Sequence, residues 1–307
     1  MTQTAEMDTA DVIDHENDSQ VESQFLRRLW ERTGGLDVVA LVSVPVLLCV
    51  VYLLPAELRR SLAFEYMDPS LLTAFTSNFV HLDGGHLLVN VAVYALVVPV
   101  LYALSATSGN RRQFYAVFVT FLFVFPFALS YLNLAVVRPA FAVGFSGVTM
   151  AFVGYLPFAL AAHADANFDI GPASVVASVL FFLSLALISV LSVRSVVGSD
   201  QAVRLGTRGL AIAALLSALL YALSAYDRGE RFRAKLSAAV AAPGYFDVVV
   251  VGLILLVALP FVAFPADPVT TAGVLNLYVH LLGYALGFIV TYATAEAGTR
   301  LFAESPL

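Results

Sequence analysis

Apolar residues run in long, nearly unbroken stretches along this chain, and polar residues are confined to the connections between them. Eight stretches are about 17–25 residues long, the length an α-helix needs to cross a bilayer. They run Val38 to Leu54, Leu87 to Leu104, Phe114 to Leu134, Ser146 to Ala162, Ala173 to Val193, Leu210 to Ala225, Val248 to Phe264 and Leu275 to Thr294, the sixth being the shortest. Continuous apolar runs lack the alternation of a membrane strand, and only helices and closed barrels satisfy their backbone in lipid. The pattern predicts an all-α fold, a polytopic transmembrane helical bundle with about eight spans.

Composition agrees. Of 307 residues 60% are hydrophobic and 12% charged, with a mean hydropathy of +0.87. A soluble domain carries roughly a quarter of its residues as charges, so this chain cannot clothe a surface facing water. The single cysteine, Cys49, lies inside an apolar run, which excludes a disulfide framework or a thiolate metal site. Sixteen Lys plus Arg against 22 Asp plus Glu exclude nucleic acid held through phosphate contacts. Among the 16 cations only Lys235 is a lysine. An acidic, lysine-poor chain suits a salt-loving source, and a GC-rich genome gives the same arginine bias.

The first 24 residues hold seven acids and no Lys or Arg, so they have nothing to bury. The expected organisation is a disordered acidic tail over 1–33, a transmembrane domain over 34–296 and a short tail over 297–307. Counting Lys and Arg in the connections sets orientation. With the N-terminus inside, ten fall on the inner side (Arg27, Arg28, Arg32, Arg111, Arg112, Arg228, Arg231, Arg233, Lys235, Arg300) and six on the outer (Arg59, Arg60, Arg138, Arg194, Arg204, Arg208). This favours a multi-pass protein of the cell membrane with a cytoplasmic N-terminus.

Two connections differ from plain loops. Pro55 to Val80 mixes Leu62, Phe64, Tyr66, Leu71, Leu72 and Phe75 with polar residues, so it is expected to lie in the outer interface. After Arg138 and Pro139 the segment 140–145 stays apolar although the proline breaks the helix. Such irregular backbone within the membrane requires protein or a wet cavity around it.

Ionisable side chains within the spans are few, and each is a functional candidate. Of five histidines, His15 lies in the tail and His163 at the inner end of the fourth span, where water is expected to solvate it. The other three sit in motifs. His81, His86 and Asn90 belong to one segment, and the four-residue spacing of His86 and Asn90 puts them on one helix face; helix-to-helix hydrogen bonding is the plain alternative. Gly144-Phe145-Ser146-Gly147 opens the fourth span, with glycines that let backbone approach a hydroxyl. His280, Gly283 and Gly287 form one stripe of the last span, and G-x-x-x-G lets a neighbouring helix approach to backbone contact.

The second, fourth and eighth spans share a direction, so His86, Ser146 and His280 fall at one depth near the outer face. A serine hydroxyl needs a base to take its proton, and a neutral imidazole is the usual one. No carboxylate within the last span precedes Glu296 to orient His280, so a Ser146–His280 dyad is the economical reading. The Ser146 N–H, the Asn90 amide and the His86 imidazole are candidate oxyanion donors. No metal or other cofactor is implied.

These three motifs, in this order, resemble those of the rhomboid intramembrane serine proteases: His-x4-His-x3-Asn, then Gly-x-Ser-Gly, then His-x2-Gly-x3-Gly. The resemblance spans roughly Val38 to Thr294. It implies Ser146 as nucleophile, His280 as general base, and His86, Asn90 and the Ser146 backbone as oxyanion hole. It further implies that the partners are transmembrane segments of client proteins, cut near the outer membrane face within the lipid bilayer, and that Pro55 to Val80 is the family's outer membrane-embedded loop.

The chain departs from that pattern in four places. Met150 stands where an aromatic commonly stacks on the catalytic histidine, and a thioether can still pack there. Val279 replaces a small residue before His280. The Trp-Arg pair of the first outer loop is missing, with only Arg59 and Arg60 there. Three spans rather than one separate Ser146 from His280, so two extra helices lie within about 173–264. The alternative within the same resemblance is a catalytically silent protein that binds or escorts membrane clients. A transporter would show internal repeats with matching broken helices, and none is found.

Overall fold

The computed structural model describes residues 24–136, 139–195, 201–224, 229–270 and 273–303. Residues 1–23 with His15 and the acidic run, Arg138, Arg228 and residues 304–307 lie outside them.

The chain is an all-α polytopic bundle. In order it forms α1 (Gly35–Tyr52), two short helices α2 (Ala56–Ser61) and α3 (Leu71–Thr76), α4 (Gly84–Thr107), α5 (Arg111–Phe123) and α6 (Phe125–Leu132). Then follow α7 (Ser146–Phe168), α8 (Ala173–Ser195), α9 (Gln201–Ser224), α10 (Gly229–Val240), α11 (Tyr245–Ala263) and α12 (Leu277–Ala303). Seven of these helices are long and apolar enough to cross a membrane, and the bent pair α5–α6 makes eight if it is one span. Helix direction decides the count. At one end Gly144 packs on His86, and at the other Ser105 and Thr107 of α4 meet Tyr155 and His163 of α7. Thus α4 and α7 run parallel, and the chain between them must return across the bundle once.

The bent pair makes that return. Arg111 at its start pairs with Asp37 at one end, and Asn133 just beyond α6 reaches Tyr66 at the other. The two halves meet at 48° around Val124. Pro126 supplies the cause, since it has no N–H for the Leu122 carbonyl and its ring crowds that turn. The third apolar stretch of the sequence is this broken helix.

The central helix is α7, with 94% of its spanning stretch buried against 17% for α1. It carries small residues such as Gly147, Ala151, Gly154 and Ala161 because its neighbours are other helices rather than lipid. On one side α12 lies parallel to it. On the others lie α4, α8 and α11, with Gly252 of α11 against Leu160 of α7 and Leu104 of α4. The three helices between Ser146 and His280 divide their work. Phe181 of α8 stacks on Tyr284 and Phe288 of α12, while α9 packs on α8 through Ala211, Ala214 and Ala218 and otherwise faces outward. Only α11 bridges α4 and α7 and delivers its end to His280.

Three boundaries differ from the sequence reading. Residues 24–32 are helical rather than part of a disordered tail reaching residue 33, because Phe25 buries itself against Tyr245 and Gly244. Gln201 rather than Leu210 opens α9, and α12 continues to Ala303, past the tail boundary at 297. The connection 55–80 folds into α2, a two-residue strand β1 (Phe64–Glu65), α3 and a 3-10 turn Ser77–Phe79. It buries Phe64, Tyr66 and Ala74 inward while Met67, Leu71 and Leu72 stay exposed.

Candidate active site

The Ser146 loop is held by hydrogen bonds from elsewhere in the chain. Strand β2 (Phe141–Ala142) pairs antiparallel with β1, and the Tyr66 N–H donates to Ala140 O at 3.1 Å. The irregular segment expected after Pro139 is thus tied to the 55–80 connection. Gly144 N–H donates to Ser77 O, and Phe145 N–H reaches His81 Nε2 at 3.4 Å. Gly144 has φ +116°, and a Cβ there would stand 2.5 Å from His86 Cε1. Only glycine fits that backbone and that contact. Ser146, half-buried, is then the first residue of α7. Its helix has Phe145 as N-cap and no side chain capping it, so the first-turn N–H groups remain available as donors.

The His280 helix is locked against this start by small residues on both sides. A Cβ on Gly283 would overlap the Gly147 carbonyl and touch Met150 Cβ at 3.3 Å. A Cβ on Gly287 would overlap Ala151, and one on Gly154 would overlap the Tyr284 carbonyl. Val279 fills the space above Gly147, where a Cβ would meet its Cγ1 at 2.5 Å. The turn carrying Ser146 and the turn carrying His280 therefore face each other across a backbone contact.

His280 is 4% exposed, and its Nδ1 lies 2.9 Å from Ala263 O. A carbonyl only accepts, so Nδ1 carries the proton and Nε2 keeps a lone pair. That Nε2 is buried without a partner, as is His86 Nε2. The two imidazoles lie near enough to interact electrostatically. The Ser146 hydroxyl is not hydrogen-bonded to His280. His81 Nδ1 and the Tyr94 hydroxyl are likewise without partners, and because buried polar atoms are nearly always satisfied, such a cluster around the start of the Ser146 helix calls for a reason.

Asn90 has a different part from the free oxyanion donor expected of it. Asn90 is 3% exposed, and its amide nitrogen donates to His81 Nε2 at 3.1 Å and to His86 O at 2.9 Å. Both amide hydrogens are committed, so Asn90 braces the two histidines and offers no free donor. His81 accepts through Nε2, which puts its proton on Nδ1. Burial, with His86 close by, pushes His81 down to about 3, so it stays neutral at ordinary pH.

His163, expected to be solvated, is 0% exposed. Its Nδ1 lies 2.8 Å from Thr107 Oγ1 and its Nε2 3.1 Å from Tyr245 O. The ends of α4 and α11 close over it, joining three helices at the end opposite Ser146.

Four contributors escaped the sequence reading. Ala263 O orients the His280 ring. Phe264 packs edge-on to the His280 ring, centroids 6.0 Å apart at 86°, next to the histidine where Met150 had been considered for that contact. Asn276 caps the start of α12, accepting from Val279 N–H and donating to Asn133 Oδ1 at 3.1 Å. Gly154 completes the partner face. The spacing Gly147, Ala151, Gly154 on one helix face was the available signal for the last; a backbone carbonyl leaves none.

No family model, curated protein or solved structure matches this chain.

Proposed function

We propose that this protein is an intramembrane serine endopeptidase of the rhomboid type, cleaving transmembrane segments of other proteins in the cell membrane. In this reading the N-terminus is cytoplasmic and the Ser146 end of the bundle is the outer one. The observation that carries it is the His280 ring, fixed through Nδ1 on Ala263 O with a bare, buried Nε2, on a helix pressed against the start of the Ser146 helix. His280 Nε2 takes the Ser146 proton as the serine oxygen bonds to the scissile carbonyl carbon. The same nitrogen then gives that proton to the departing amine, and water repeats the cycle on the acyl-enzyme. The His86 ring and the uncapped N–H groups of Ser146 and Gly147 stabilise the oxyanion. Asn90 and His81 position these groups. The Ala263 carbonyl does the orienting that a carboxylate does in a triad. Of the three helices after Ser146, α11 takes the family's single position, and α8 and α9 are the inserted pair.

A serine-directed fluorophosphonate tests the reading: wild-type protein labels, and Ser146→Ala and His280→Ala do not. Unchanged labelling in both variants rejects it. One observation favours a second reading, a silent rhomboid-like protein that binds clients. The Ser146 hydroxyl and His280 are unbonded in the structure, although apo sites often tighten only with substrate. Comparing membrane proteins of cells carrying wild-type or Ser146→Ala protein separates the two, since only the enzyme sheds fragments.

A further inference from the structure

Between α1, the 55–80 connection and the far end of α5 the bundle leaves a cavity of about 550 Å³. Its walls include Val44 and Val51 of α1, Phe75 and Phe79 of the connection, and Leu122 of α5. It opens on the flank, where Leu47 and Phe123 are 45% and 58% exposed. Two hydroxyls line it, and both have committed their protons: Ser43 to Ala40 O, Thr76 to Leu62 O and Leu72 O. A wall like this does not hold water, which needs two or more polar partners. An engineered apolar cavity of roughly 150 Å³ lodges one benzene-sized molecule. The present one is several times larger and faces the hydrocarbon, so it suits an acyl chain.

The end of the cavity supplies the second half of a lipid site. Next in sequence to the lining residues Val51 and Val80 are Tyr52 and His81, and Arg59, itself outside the lining, lies over the Tyr52 ring at 4.5 Å. It donates from Nε to Leu54 O at 3.1 Å and from Nη1 to His81 O at 2.6 Å. Its neighbour Arg60 pairs with Glu65, whereas Arg59 has no carboxylate partner among the described residues. A guanidinium has five N–H groups in a fork that fits a phosphate. A cation without a carboxylate partner beside one end of an apolar slot complements a phospholipid in both charge and shape.

We infer that this cavity binds one membrane glycerophospholipid, with an acyl chain in the slot and its phosphate on the remaining N–H groups of Arg59. The bound chain supports the loops of the candidate site. Phe79 in its wall lies 5.5 Å from Phe145, and Arg59 grips the His81 carbonyl. The inference does not depend on catalysis, and its test reads binding alone.

The sole tryptophan, Trp30, is replaced by Phe, and a reporter is placed at the flank as Leu47→Trp, with Leu215→Trp on the outward face of α9 as control. The full-length protein is reconstituted in phosphatidylcholine vesicles holding a few mole per cent of phosphatidylglycerol brominated on its acyl chains. Quenching at position 47 several-fold above position 215 is expected. Unbrominated phosphatidylglycerol should reverse the excess, and Arg59→Gln should abolish it. Because Arg59 also holds the fold, Val51→Phe, which fills the slot, provides a second variant that must remove the excess. Equal quenching at 47 and 215 overturns the proposal. So does an excess that a hydrophobic transmembrane peptide displaces and phosphatidylglycerol does not, which would mark a docking site for another helix.

Discussion

The two ends of α7 each bury an imidazole, and they treat it in opposite ways. At one end His163 has both ring nitrogens engaged, by Thr107 and Tyr245, and nothing there is left to bond. Asp37, at the same end of the bundle, is 1% exposed and likewise saturated, by Arg111, Tyr115 and the Gly34 N–H. At the other end His280 and His86 each leave Nε2 bare within the protein. Desolvating such an atom without a bond costs about 1–3 kcal/mol. One end is finished as structure, and the other keeps bonding capacity that the protein itself does not use.

Exchanging the two ends is the sharpest test. Ser146→Ala and His280→Gln should cut proteolysis by about 10³-fold or more while leaving thermal stability nearly unchanged. His163→Ala should do the reverse, losing about 1–3 kcal/mol in a denaturation assay as the Tyr245 carbonyl loses its partner, with kcat kept in the folded fraction. If His163→Ala abolishes kcat at full stability, the contrast fails.

Next comes the contact that unites the site. Gly283→Val inserts a side chain against the Gly147 carbonyl and should lower both stability, by about 1–3 kcal/mol or more, and activity. Gly35→Ala, where a Cβ meets nothing, should change neither. Thermal unfolding and gel-based cleavage of the two variants measure the difference.

A smaller loss separates the donors. His86→Ala should reduce kcat by about 10²-fold, as removal of an oxyanion donor does elsewhere. Asn90→Ala should cost less and leave fluorophosphonate labelling detectable, since both of its hydrogens serve other residues. Equal losses would return Asn90 to the oxyanion hole.

The pH response is the gentlest probe. His280 must be neutral to accept a proton, so the rate should fall once the pH is low enough to protonate it. His81, held near 3, keeps its grip on the Phe145 N–H throughout that fall. The loss should therefore be reversible and free of unfolding. A rate that stays flat from alkaline to clearly acidic pH contradicts the role given to His280.

How far the chain could be read in advance follows from what each feature depends on. Eight apolar stretches, the order of the His86, Ser146 and His280 motifs and the glycine stripe on the last span are properties of linear spacing. The medium and helical periodicity impose them, so sequence suffices. Helix direction follows as well, because each crossing reverses the chain, and that put His86, Ser146 and His280 at one end.

Tertiary structure decided the rest, since it turned on contacts between remote segments or on backbone atoms that every residue shares. Only packing could select Ala263 O to orient His280, bring Phe264 edge-on to its ring, consume both Asn90 hydrogens and seal His163 from water. Residue identity shows that a side chain is able to bond, but the neighbours supplied by the fold settle whether that capacity is spent or left free.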